Sequence, residues 1–439
     1  MVKIQITNGL NIPIEGRAKE EFKPSQLSLS IAADFSPFTK TLRMKPNVKV
    51  GDKVAIGDPL AYDPRHPERV YLSNAGGTIS AIERGEKRRL LSIKITRDEA
   101  ESTSPYKSVK DPFQEIFTSG LSFHFFARPF HLPICPTKKP RAIFISAIDS
   151  SPLACPAHFH LLGHEEAFQT GLSILSQIAP CHLVSQEDVF LSFAGVAHHR
   201  ALGPHPVGDH SVHIEAISPI RGIEDCLWTT SIHGVIAVGM LLGEGKHLLT
   251  RTIALTGNGI RKEERRLTNV RWGSEIAPLI ETKTSETLDR ILSGDPLHGK
   301  HGQSHLGFFD LQICGLPSPP PPRVMPFAGL GLHFFTAHKT YLSSLFRSKQ
   351  FPFSSRLMGA QRPMINGALY QKVMPLSIRV EALIEALLAK DYEAALSLGL
   401  LDVAAHDFSL CEFICPSKIP FTSIVEKAIE DYLELYSGT

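Results

Sequence analysis

Twenty histidines make metal binding the first chemistry to weigh for this sequence. They fall in local groups at His158, His160 and His164, at His198, His199, His205, His210 and His213, and at His298, His301 and His305. Zinc takes several such nitrogens converging tetrahedrally, but none of these groups has a recognised ligand spacing, and Gly and Pro interrupt each of them. Satisfied histidines in ordinary loops are the plainer reading, and no metal ligand is assigned. Cys411 and Cys415, followed by Pro416, form the closest cysteine pair. A Cys-Pro ending occurs in ferredoxin-type cluster motifs, but a four-iron cluster needs four thiolates, so two buried structural cysteines are expected.

The other signatures fail on inspection. Gly257-Asn258-Gly259-Ile260-Arg261-Lys262 begins like G-x-G-x-x-G but has Lys262 in the place of the third glycine. Gly245-Lys246 is followed by His247 and lacks the upstream glycine of a phosphate loop. No G-x-S-x-G elbow occurs, and His164-Glu165-Glu166 lacks the second histidine of H-E-x-x-H. The expected site assignment is therefore empty: no catalytic, cofactor-binding or metal-ligating residue.

The elements that would position a site come from the hydrophobic pattern. At 439 residues with 43% apolar and 21% charged side chains, the chain can bury several cores. Forty-six basic against 44 acidic residues leave +2, which excludes the basic excess of a nucleic-acid binder. Seven scattered cysteines do not resemble a paired secretory framework, the start lacks a signal-peptide pattern, and a cytoplasmic setting is expected. The uncharged run Cys226–Gly243 has the minimum length of a membrane helix, about 18 residues. Because it carries Thr229, Thr230, Ser231, His233 and Gly234, it reads as a buried strand and turn.

Residues 1–100 read as small β-structure. Val48–Leu60 sets two Gly-Asp turns around an alternating strand, and Asn74–Ile82 repeats turn and strand, a pattern that resembles the barrel-sandwich domains of biotinyl and lipoyl carriers. A carrier needs a lysine at the intervening hairpin, and residues 61–73 contain none, so the role is structural. Residues 97–140 read as a linker enclosing one short helix. Arg141–Ile148 suits a strand covered on both faces. Ala167, Phe168, Leu172, Leu175 and Ile178 follow at helical spacing, and Cys181–Ser185 offers a second strand, so 101–254 is expected to be linker plus parallel α/β domain. Residues 255–335 suit a small α+β domain. Pro317 and Pro319 to Pro322 mark an exposed loop, and 336–439 ends in helices with stripes at Val380, Leu383, Ile384, Leu387 and Leu388 and at Ile424, Val425, Ala428, Ile429, Tyr432, Leu433 and Tyr436.

With these residues in place, the chain resembles the NqrA family, one of the subunit types of the bacterial sodium-translocating NADH:quinone oxidoreductases. The likeness is collinear: Gly9–Ile14, Gly85–Arg88, Ser119–Leu121, Arg128–Phe130, Pro140–Ile145, Gly203–Pro206, Ser293-Gly294, Val373–Leu376 and Leu410–Pro416. Ser122-Phe123-His124, where relatives tend to carry a tryptophan, and the region from about 315 to 363 depart from it. The resemblance implies a Rossmann-like α/β domain, a β-grasp-like (SLBB-type) third domain and a helical C-terminus. It also implies a peripheral subunit on the cytoplasmic side of the inner membrane. The complex would reduce ubiquinone with electrons from NADH and export sodium, its flavins, iron-sulfur centre and NADH site lying on partner subunits. The partners are then the other subunits, especially the adjacent membrane subunit, and ubiquinone itself, with no nucleic acid and no cofactor bound by this chain. A His-rich metal-dependent hydrolase and a carrier-like scaffold are the alternatives from other classes.

Overall fold

The run Arg141–Ile148 folds as expected for a strand with no solvent face: all six residues of Ala142–Ala147 are buried. It lies at the middle of a seven-stranded sheet in a computed structural model that describes residues 1–25, 27–106, 111–319, 330–332, 334–345, 350–355, 361–364 and 367–436. Ala142–Ala147 pairs in parallel with Cys181–Ser185 on one side and Leu227–Ser231 on the other. Between the first two runs the helix Glu165–Ile178, which buries Ala167, Phe168, Leu172 and Leu175. Ala197–Leu202 continues the parallel set beyond Cys181–Ser185. This is the second, α/β domain anticipated from the strand–helix–strand pattern.

The N-terminal domain is a barrel-sandwich of two small sheets. Ser30–Asp34, Leu90–Arg97, Gly77–Arg84 and Lys53–Val54 form one, and Lys45–Pro46, Pro59–Asp63 and His66–Leu72 the other. Ile31, Phe35, Leu60, Ile93 and Ile95 fill the space between them. The carrier-type hairpin at Pro59–Leu72 is anchored rather than free to swing, because Arg69 is buried, pairs with Asp63 at 2.6 Å and also donates to the Ile134 carbonyl across the domain boundary.

A third sheet orders Lys300–His301, Leu288–Ser293, Gln312–Pro317, Thr250–Thr256, Arg266–Arg271 and Lys19–Phe22. The phosphate-like glycines belong to it. A Cβ on Gly257, which has φ +85°, would stand 2.2 Å from the Gly315 carbonyl, and the Gly259 amide donates to that same oxygen at 2.8 Å. They serve close backbone packing. The chain ends in the helices Val380–Leu388, Tyr392–Ser397, Ser409–Ile414 and Phe421–Tyr436, whose core is continuous with Val184, Ala201 and Phe130 of the α/β domain.

Several expectations need correction. The limit 1–100 does not enclose a self-contained unit: Lys3–Gln5 pairs in parallel with Ala197–Leu202, and Lys19–Phe22 with Arg266–Arg271. Three- and four-residue strands are too short to carry a pattern that assigns them to a distant sheet. The limit at 254/255 cuts the strand Thr250–Thr256. The stretch 97–140 is more than a linker with one helix. Pro112–Thr118, capped by Asp111, buries Phe113, Ile116 and Phe117, and Phe126–Arg128 and Leu132–Pro133 extend the α/β sheet. Cys226–Gly243 is strand then helix, not strand then turn: Leu227–Ser231 is followed by Ile232–Val238 and a wider turn through Gly243. Gly239 is a helix contact, since a Cβ there would overlap the Ala167 carbonyl at 1.7 Å. Of the last stripe, Tyr436 is exposed. Pro320, Pro321 and Pro322 lie outside the described residues.

Among the described residues no helix is long and apolar enough to cross a membrane.

Candidate functional site

In parallel α/β sheets, ligands bind at the carboxyl ends of the strands, and there the fold leaves a cleft of about 500 Å³. Thr229, Thr230 and Ser231 end the strand Leu227–Ser231 at its floor. Phe126, Phe130 and Leu132 form one wall, Phe309 of the third domain another, and Ile429 and Leu433 of the last helix a third. Lys40 of the N-terminal domain pairs with Glu426 of that helix and lies 3.7 Å from Glu430, tying both rims together. All four parts of the chain therefore build one cavity.

Besides the hydroxyls of the floor and the Lys40–Glu426 rim, its polar groups are imidazoles. His210 opens the helix His210–Ile217, and its Nε2–H donates to the Thr230 carbonyl at 3.0 Å, which leaves Nδ1 as the lone-pair nitrogen. Burial drops this imidazole to about 4. His131 stacks on Phe126 with centroids 4.1 Å apart and meets His406 edge-on at 5.0 Å. Burial, with His406, Arg128 and His210 nearby, holds His131 far below the ordinary range, and its Nδ1 is enclosed with no partner. These rings are neutral at physiological pH. A neutral imidazole offers one donor and one acceptor, so one with a free N–H can donate to a carbonyl oxygen of a flat apolar ring, while His210 can accept from a hydroxyl; the charged groups Lys40, Glu426 and Glu430 are at the rim. Beneath the floor the guanidinium of Arg128, 1% exposed, donates from Nη1 to Ser211 Oγ at 2.8 Å, and Ser211 in turn donates to Asp407 at 2.6 Å.

A second cavity of about 330 Å³ adjoins the first and shares Phe309 and His406 with it. Asp149, His205, Asp209, Asp295, His298 and Asp310 line it. His205 Nδ1 contacts Ser150 Oγ at 3.0 Å and burial drops it to about 4. Burial also works against charge on His298, but Asp295, 2.9 Å away, outweighs it and lifts the imidazole from 6.5 to about 9. The sign follows from linkage: a group whose pKa rises on folding contributes its full stabilisation below the unfolded value and loses it as pH climbs through the folded value. The His298–Asp295 pair should therefore stabilise the fold at pH 6, and this contribution should fade between about 6.5 and 9. An imidazole NMR titration should place the His298 midpoint near 9, and His298→Gln should show a smaller fall in melting temperature between pH 6 and pH 9.5 than the wild type. A midpoint near 6.5 would contradict the pairing.

The histidine groups seen in the sequence do not converge as groups. His158 pairs with Glu187 at 2.6 Å and His160 contacts Cys155 Sγ at 3.2 Å. His199 contacts His182 at 3.0 Å, while His198 and His213 donate to the carbonyls of Phe193 and Val207. His301 contacts the Ile291 carbonyl, and His305 contacts Ser30. The two cavities instead combine His205 and His210 of the second group and His298 of the third with His131 and His406, which local spacing does not single out. Cys411 and Cys415 are both fully buried, with Tyr370 Oη 3.2 Å from Cys415 Sγ.

Sequence comparison decides the family. The NqrA N-terminal barrel-sandwich hybrid domain matches residues 4–98, and the NqrA second alpha/beta domain matches residues 108–247. The NqrA component of the Na(+)-translocating NADH-quinone reductase of Chlamydia caviae is 32% identical across 98% of this chain and 97% of its own length. The chain belongs to the NqrA family. The counterpart of the same reductase in Pseudomonas aeruginosa is 31% identical over 96% of the chain and 97% of that protein. A solved NAD+-reducing nickel-iron hydrogenase in the air-oxidized state aligns with 68% of this chain and 55% of that one at TM-score 0.35 and 12% identity, too distant to support any argument. The stretch Ser122-Phe123-His124 borders the cleft: Ser122 and Phe123 are buried, and His124 lines it and packs on Trp272 and Phe308 at 5.5 and 5.0 Å.

Proposed function

We propose that this chain is the peripheral subunit of a sodium-translocating NADH:quinone reductase that forms, with its membrane neighbour, the place where ubiquinone is reduced to ubiquinol. The relatives' names support the complex, and one observation carries the role within it: the apolar cleft at the carboxyl ends of the strands, walled by Phe126, Phe130, Phe309 and Ile429 and furnished with His131, His210 and His406. Its volume lies within the range of ligand clefts, ~300–1,000 Å³. A quinone carbonyl needs a donor, which His131 and His406 can supply, whereas His210, whose N–H is held by the Thr230 carbonyl, can only accept from a quinol hydroxyl. The two electrons arrive from partner subunits, which carry NADH, flavins and the iron-sulfur centre, and the two protons of the quinol come from water reaching the rim. Hydride chemistry is assigned elsewhere because the dinucleotide fingerprint breaks at Lys262. In this reading the chain sits on the cytoplasmic side of the inner membrane, with a Rossmann-like second domain, a β-grasp-like third domain and a helical end that closes the cleft.

A complex assembled without this chain tests the proposal. NADH oxidation by an artificial acceptor should continue, while ubiquinone reduction and sodium export should fall at least tenfold. Loss of the first activity in an otherwise assembled complex, or full retention of the second, would overturn it.

A further inference from the structure

Where the two cavities meet, Asp209, His406 and Asp407 present three ligand atoms that all lie within 4.8 Å of one another, the one such group of three among the described residues. Asp209 precedes the helix His210–Ile217, and His406 and Asp407 lie in the turn Ala405–Phe408, so the group closes across almost two hundred residues of chain. Clustered carboxylates alone mean little. The deciding feature is Asp407, which is only 5% exposed. Its Oδ2 accepts from Ser211 Oγ and from the Ala404 amide, each at 2.6 Å, which fixes the carboxylate plane. Its Oδ1 is equally enclosed and has no hydrogen-bond partner, and His406 Nε2 stands 3.8 Å from it. A buried carboxylate oxygen without a donor is costly. Arg128 acts on Asp407 only through space: its hydrogen bond runs from Nη1 to Ser211 Oγ, and no donor reaches Asp407 Oδ1.

We propose that Asp209, His406 and Asp407 form a binding site for a divalent first-row transition cation, of which zinc is the representative. Two carboxylates and one imidazole match the ligand types of such ions. Two negative charges balance a divalent cation, and three protein ligands leave a position open to water. Ser211 and Ala404 then act as the outer partners that orient a metal carboxylate. This site departs from the expectation, drawn from local histidine spacing, that the chain holds no metal. It does not depend on what occupies the apolar cleft.

The test uses the full-length chain, stripped with chelator, dialysed against Zn2+ and analysed for metal. One zinc per chain is expected, with affinity reduced at least tenfold in His406→Gln and in Asp209→Asn and unchanged in His301→Gln, which alters an exposed histidine. Co2+ in place of zinc should give wild-type protein weak visible ligand-field bands without thiolate charge transfer, since no ligand is a cysteine. Either of two wild-type results overturns the proposal even if a variant fails to fold: less than stoichiometric zinc, or a cobalt–thiolate band. Undiminished zinc affinity in folded His406→Gln also overturns it.

Discussion

A chain ended before Pro420 is expected to have no native unfolding transition. The missing helix, Phe421–Tyr436, buries Phe421, Val425, Ala428, Ile429 and Tyr432. Phe421 is fully enclosed and meets Tyr370 edge-on at 4.8 Å. Tyr432 lies between Tyr392 of the neighbouring helix, at 5.6 Å, and Phe130 of the α/β domain, at 5.5 Å. Burying each large apolar side chain contributes about 1.5–3 kcal/mol, so four of them amount to roughly 6–12 kcal/mol. That rivals the whole stability of an ordinary domain, about 5–15 kcal/mol. Because Phe130 is on the other side of the contact, the loss reaches the α/β domain as well. Phe421→Ala alone should cost about 3–5 kcal/mol by leaving a cavity, whereas Leu435→Ala, at a site 66% exposed, should change stability by less than about 0.5 kcal/mol. Calorimetry or thermal circular dichroism separates the three. An unaltered melting temperature in the truncated chain would show that the helix is not part of the core.

That prediction rests on a feature readable in the sequence, and the contrast with what was not readable is physical. A sixteen-residue helix repeats its apolar face four times, so the stripe from Ile424 to Leu433 is visible without a structure. The same holds for the wholly apolar strand Ala142–Ala147, which needs cover on both faces. Lys3–Gln5 has three residues and one buried side chain, Ile4. Nothing in so short a segment says that its partner strand begins at residue 197. The glycines of Ile232–Gly243 look like turn signals because, in one dimension, a glycine that lets two backbones touch cannot be told from one that lets a backbone bend. The collinear motifs point to the family without any geometry. The candidate cleft is hidden for a different reason. His131, His210, His406 and Phe309 come from four separate segments, and no local spacing relates them. The one usable clue is general: a parallel strand ending in Thr229, Thr230 and Ser231 marks the edge where such folds bind ligands.

The second large effect concerns that cleft. Ala405 and Thr41 are small, partly buried side chains on opposite rims, one in the C-terminal helical region and one in the N-terminal domain. Tryptophan at either position adds a bulky ring to a space of about 500 Å³ without removing any group that the proposed site uses. If a quinone ring occupies that space, each substitution excludes it sterically, and a fully blocked site loses activity by orders of magnitude rather than by a small factor. Electron entry from NADH, assigned to partner subunits, is not in the path of the obstruction. Ser80→Trp, on an exposed strand position of the barrel-sandwich domain, adds the same bulk elsewhere and controls for it.

The most direct measurement is therefore ubiquinone reduction by the whole complex carrying Ala405→Trp or Thr41→Trp, alongside NADH oxidation by an artificial acceptor in the same preparations. The account predicts that ubiquinone reduction falls at least tenfold in both variants, while acceptor-linked NADH oxidation stays within twofold of wild type and Ser80→Trp changes neither. Ubiquinone reduction within twofold of wild type in both cleft variants would contradict it.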